Sequence, residues 1–139
     1  MLRRPAYALS IKQPWAALLV AGRKTVEVRR WPTQIRGPVY IHAARLIDQR
    51  PAGWILLPTD LMSLARLTGG LIGTAELSSC VVYRTPDGFA RDVVRHLNDP
   101  AWFALPRMYG FTFRAAQPVP FVPCKGSVRF FKVGIPEGK

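Results

Sequence analysis

The strand-forming segments of this chain are short and alternate irregularly with helical stretches, and that spacing constrains the fold more than any other feature. Tyr7 to Ile11 (YALSI) alternates apolar and polar residues, as a half-buried strand does. Gln13-Pro14 interrupts it, with Pro14 suited to a first helical position. Trp15, Leu18 and Leu19 then recur at i, i+3 and i+4, and Gly22 stands where a helix ends, which predicts about two helical turns. Lys24 to Trp31 (KTVEVRRW) alternates again, with Thr25, Glu27 and Arg29 on one face and Lys24, Val26 and Val28 on the other unless a bulge changes the parity.

Arg36-Gly37-Pro38 reads as a turn, Val39 to Ala43 as the next strand, and Arg45 to Thr68, with Pro51 and Pro58, as an irregular or helical insert. Gly69 to Tyr83 predicts a long strand that Gly73 allows to bend, and Phe89 to Leu97 a short helix. Strands resume at Tyr109 to Arg114 and Gly126 to Val133, and the three prolines between Gln117 and Pro123 suit an extended, edge-like connection. Six short strands with two or three helices so distributed do not build a parallel doubly wound sheet. The expected class is α+β and β-rich: a small β-barrel or curled mixed sheet with helices packed outside. At 139 residues, 49% of them hydrophobic, the chain suits one domain over 1–139 with a two-layer core.

Charge narrows the partner. Twenty Lys and Arg stand against eight Asp and Glu, a net charge of +12 that favours a polyanion such as nucleic acid. The excess is uneven, with ten basic and two acidic residues in 1–50 against ten and six in 51–139. Fifteen of the basic residues are Arg, whose planar fork suits phosphates and guanine edges.

Other classes lose support. Cys80 and Cys124 form no CxxC, and His42 and His96 are the only histidines, so no disulfide framework or metal site is expected. No apolar run nears the roughly 20 residues of a spanning helix, and no signal-peptide pattern follows Met1, so a cytoplasmic protein without a membrane partner is expected. Walker-type, dinucleotide and serine-elbow motifs are absent, and no cofactor is implied.

Three stretches carry a family resemblance: Leu9-Ser10-Ile11-Lys12-Gln13-Pro14-Trp15-Ala16, then Gly22-x-Lys24-x-x-Glu27-x-Arg29-x-Trp31, then Arg36-Gly37-x-x-x-Ile41-His42-Ala43. With weaker matches at Ile72 to Leu77, Tyr109-Gly110-Phe111 and Pro120 to Gly126, the chain resembles the ASCH domain family over nearly its whole length. The resemblance implies a PUA-like fold with a cleft between barrel and helices, in a superfamily associated largely with RNA and in some members with modified nucleotides or DNA.

Lys12, Lys24 and Arg29 are three cations within eighteen residues that can converge on one phosphate or carboxylate, although each alone also reads as solvated surface. Glu27 lies among them, either as their charge partner or as an acceptor for an exocyclic base amine. Trp15 shares a core-like stripe with Leu18 and Leu19, whereas Trp31, beside Arg29 and Arg30, is the better candidate for stacking a base. Gln13, Arg36 and His42 enter the candidate set through the motif, His42 otherwise reading as a hydrogen-bonded structural residue. Lys125-Gly126 reads as a tight turn able to meet a phosphate, or as an ordinary strand entry.

One ASCH-like branch consists of amidohydrolases of N4-acylated cytidine that use a Lys, a Thr nucleophile and a Glu. The resemblance matches Lys24 and Glu76 to two of these, Glu76 reading otherwise as solvent-facing, but Glu27 occupies the Thr position. Without that hydroxyl Lys24 has no nucleophile to activate. The sequence therefore reads as a monomeric binder of RNA or single-stranded DNA, with a nucleotide or modified nucleoside in the cleft. The alternatives are a hydrolase using Lys24, Glu27 and Glu76, either an amidohydrolase or a ribonuclease, and a protein-interaction module of transcription or translation.

Overall fold

The computed structural model describes residues 5–134. Along the chain run β1 (Tyr7–Ile11), α1 (Trp15–Val20), β2 (Val26–Arg29), β3 (Gly37–Ala43), α2 (Pro51–Leu56) and α3 (Met62–Ala65). They are followed by β4 (Gly70–Tyr83), α4 (Pro86–Arg91), α5 (Val93–His96), β5 (Met108–Pro123) and β6 (Phe131–Lys132). The strands form one six-stranded mixed sheet in the order β2-β5-β4-β3-β1-β6. Only β1 and β3 run parallel, and the chain between them makes the crossover that a parallel pair requires.

The expected barrel is corrected to an open sheet, since β2 at one end and β6 at the other share no ladder. Side chains reach across the opening instead. The Arg29 guanidinium donates to the Ser10 carbonyl at 2.8 Å, and Trp31 packs edge-on against Phe130 at 5.9 Å. The cleft described below opens beside this bridge.

All six residues of α1 are buried against the sheet. The helix comes so close to β4 that a Cβ on Gly73 would lie 2.5 Å from Val20, which is why that strand position carries no side chain. At its C-terminus Gly22 takes φ +77°, and the Gly22 and Arg23 amides donate to the Leu19 and Leu18 carbonyls. That is a Schellman cap, with Gly22 at the helix-ending position expected for it. The cap turns the chain sharply, and the Lys24 amide also donates to the Leu18 carbonyl, so Lys24 is fixed before β2 begins.

Other expectations shift at their ends. The helix predicted over Phe89 to Leu97 is two short helices separated at Asp92. β6 covers two residues where Gly126 to Val133 was expected. β5 continues through the proline-rich stretch to Pro123, still paired with β4. Prolines fit there because β2 covers β5 only at Tyr109 to Thr112, leaving the later half with one neighbour and an open side that needs no amide donors.

Gln13 is fully buried, and its amide ties the start of α1 to the end of α3. Its nitrogen donates to the Leu64 and Leu67 carbonyls and its oxygen accepts from the Ala17 amide. Replacing Gln13 by Leu strands these buried groups without touching the cleft. Urea unfolding should then show a loss of about 1–3 kcal/mol, and an unchanged midpoint would show that the amide does not hold α1 to α3.

Candidate functional site

Lys24 is a fully buried cation, 1% exposed. Its ammonium donates to the His96 carbonyl at the end of α5 and to Asn98 Oδ1 at 3.2 Å. It lies 3.5 Å from Glu27 Oε1 and 5.1 Å from the centre of the Trp15 ring. Burial pulls its pKa down from 10.5 to about 8, against the opposing pull of Glu27. Glu27 is shared: its other oxygen accepts from Arg29 Nε at 3.1 Å and lies 3.0 Å from Nη2 in an ion pair. The same Arg29 reaches Ser10 on β1, so one chain of charges joins α5, β2 and β1.

A second charge pair faces this one. Asp48 is buried and accepts from the Trp15 indole at 2.8 Å, while Arg50 grips it through Nε and Nη2 at 3.0 and 2.8 Å. Hydrogen bonds from Arg50 hold the Asp48 carboxyl well below the usual carboxylate range despite its burial, with help from Trp15. The Arg50 guanidinium lies over the Trp102 ring, 3.7 Å from its centre, and Trp102 meets Trp15 edge-on at 6.1 Å. These groups line a cleft of about 420 Å³, with Ser10, Ala44, Asn98, Ser127 and Val128 completing its walls. Lys12, exposed at its edge, brings the lining to four cations against two carboxylates.

Five of the sequence candidates thus meet in the cleft: Lys12, Trp15, Lys24, Glu27 and Arg29. Lys24 was expected on the strand face opposite Glu27. It precedes β2 and hangs from the Schellman turn, so strand parity does not govern it. The other candidates lie outside the cleft lining. Gln13 is spent on the fold. Trp31 is half-buried, packing edge-on against Phe111 and Phe130 with Arg129 over its ring. Arg36 is exposed and donates to carbonyls of its own turn. His42 is buried behind Ser10, its ring bonded to the Ser10 hydroxyl and, through Nε2, to the Cys124 carbonyl. Gly126 closes on that ring, where a Cβ would lie 2.6 Å from Cε1, so the Lys125-Gly126 turn serves packing and Lys125 points to a separate depression.

A family model of the ASCH domain matches residues 9–110. The chain belongs to the ASCH domain family. Its sequence is similar to human activating signal cointegrator 1, 29% identical over 143 aligned positions that cover 91% of this chain and 22% of that protein. The mouse protein of the same name is 35% identical over 88 positions, 54% of this chain and 14% of that protein. The chain therefore spans under a quarter of the length of these relatives. Its fold is similar to that of ASCH from Zymomonas mobilis, at TM-score 0.66 and 18% identity over 92% of this chain and 87% of that one. A tyrosine-to-phenylalanine variant of that protein gives the same score over 94% and 91%.

Glu76 lies outside the lining of this cleft: it faces outward and pairs with Arg114 at 2.7 Å, beside a depression lined by Tyr40, Thr74 and Gln117. At position 27 it is a carboxylate, not a hydroxyl, that meets Lys24. The sequence reading missed Asp48, Arg50, Asn98 and Trp102, which come from the insert after β3 and the loops after α5. Asn98-Asp99-Pro100 carried a turn signal, but nothing in the order of residues paired it with Lys24. Among the described residues no group of His, Cys, Asp and Glu could hold a metal ion.

The Lys24 shift has a signed consequence. Unfolded, Lys24 titrates near 10.5, and folded near 8. Between those values the unfolded chain binds more protons, so this residue's contribution makes stability rise with pH. Measured by urea unfolding between about pH 8 and 10.5, the wild type should gain on the order of 1–3 kcal/mol relative to Lys24→Met. Parallel curves for the two proteins would contradict the buried, strained ammonium.

Proposed function

We propose that this ASCH domain is a monomeric nucleic-acid-binding domain that takes one unpaired nucleotide of RNA, or of single-stranded DNA, into the cleft between α1, β2 and the insert. The observation that carries the reading is the cleft lining: four cations, two compensated carboxylates and two tryptophans around about 420 Å³, a volume within the usual range of small-molecule sites. Lys12 stands exposed at the edge, where a phosphate can reach it without desolvating the buried groups. Glu27 Oε1 has only the 3.5 Å contact to Lys24, so it keeps acceptor capacity for an exocyclic base amine. The net charge of +12 supplies the long-range attraction for a polyanion.

A second reading, hydrolysis in the same cleft, draws on one observation. Lys24, at about 8, titrates near neutral pH and lies beside Glu27, a pair able to move a proton. The reaction would be cleavage of a phosphodiester or of a modified nucleoside, and no hydroxyl at position 27 supports an acyl-enzyme route.

Fluorescence anisotropy with labelled single-stranded RNA, duplex RNA and single-stranded DNA at two salt concentrations tests the binding reading. Single strands should bind with an affinity that falls as salt rises, and Lys12→Ala should weaken binding across sequences and lower the salt slope by about one. Absence of binding to all three polymers would refute the proposal. Mass spectrometry of the same samples separates the readings, because cleaved oligomers that stay intact with Lys24→Met would put hydrolysis first.

A further inference from the structure

Arg50 is placed unlike the other cations of the cleft. Lys24 and Arg29 are turned inward and spent on Glu27 and on backbone carbonyls, whereas the Arg50 side chain is 57% exposed. It is nevertheless held still. Nε and Nη2 both bond to Asp48, the Arg50 amide donates to the same carboxylate at 2.9 Å, and one side of the guanidinium lies 3.7 Å from the centre of the Trp102 ring. Asp48 is fixed in turn by the Trp15 indole. The result is a planar cation tied to a carboxylate, set over an aromatic ring and placed on the wall of the cleft.

We propose that Arg50 is the stacking platform for the nucleobase, with Asp48 and Trp102 as positioning residues that orient it. The proposal rests on the nucleic-acid reading of the cleft and names which part of the nucleotide that surface takes. A guanidinium plane stacks on an unpaired base as an aromatic ring does. Here its rotamers are frozen before the ligand arrives, so little ordering cost remains at binding. Because Asp48 already neutralises it, Arg50 adds little to phosphate attraction, which falls to Lys12. Base and backbone are therefore held by different residues, and the two contributions separate experimentally.

The test compares a fluorescein-labelled single-stranded RNA with an oligomer of equal length and charge that lacks bases, on wild type, Arg50→Lys and Lys12→Ala. Wild type should prefer the base-bearing oligomer by about tenfold, the size of one base stack. Arg50→Lys keeps the charge and loses the plane, so it should remove that preference and leave the salt slope unchanged. Lys12→Ala should lower the slope and keep the preference. Equal wild-type affinity for the two oligomers would overturn the platform while leaving nucleic-acid binding in place, and this comparison needs no variant to fold. A preference that survives Arg50→Lys, or a salt slope that falls with it, would equally overturn it. Binding of neither oligomer would mean that the nucleic-acid reading itself had failed.

Discussion

A buried ammonium has to be surrounded, and in this protein the surrounding of Lys24 is what makes the site. An isolated charge in the interior is costly unless it is paired and hydrogen-bonded. Lys24 draws its partners from three places: the last carbonyl of α5, Asn98 in the loop beyond it, and Glu27 on β2. His96 and Asn98 lie 72 and 74 residues along the chain from Lys24, and the Thr25 amide, donating to the Arg95 carbonyl, pins the same two segments together. The Schellman turn at Gly22 delivers the lysine there, and Arg29 carries the same charge chain across to Ser10 at the opening of the sheet. The floor of the cleft and the side-chain bridge from β2 to β1 are one network.

The opposing wall follows the same logic with the signs reversed. Asp48 is the buried charge, and Arg50 and the Trp15 indole satisfy it. Trp15 thus lies between the two networks, under the Lys24 ammonium and bonded to Asp48. It is at once a core residue of α1 and a wall of the cleft, which reconciles its apolar helical stripe with its place in the family motif. Both carboxylates of the cleft are thus paired with cations.

Much of this was legible in the sequence where the signal is local. The helix at Trp15, its glycine cap, the strand positions and the N-terminal basic motif all rest on short-range patterns, and five candidate residues of that motif line one cleft. Parity misplaced Lys24 because alternation describes residues within a strand and the lysine belongs to the turn before it. The prolines of β5 concealed a strand, since only the sheet order shows that its second half has an open side. Gln13 and His42 lie in the motif yet serve the fold, because a motif records which residues matter without separating packing from contact. Asp48, Arg50 and Trp102 could not be read at all, for they meet the N-terminal motif only through tertiary packing of an irregular insert and of the loop after α5.

On the proposed reading the cleft floored by Lys24 and walled by Trp15 and Trp102 receives the nucleotide. The decisive measurement follows the backbone amide and tryptophan indole resonances of the isotope-labelled protein while short single-stranded RNA is added. The largest shifts should fall on the Trp15 and Trp102 indoles and on the amides of Lys12, Glu27, Arg50 and Asn98. Shifts centred instead on Tyr40, Thr74 and Gln117, around the depression beside Glu76, would contradict it.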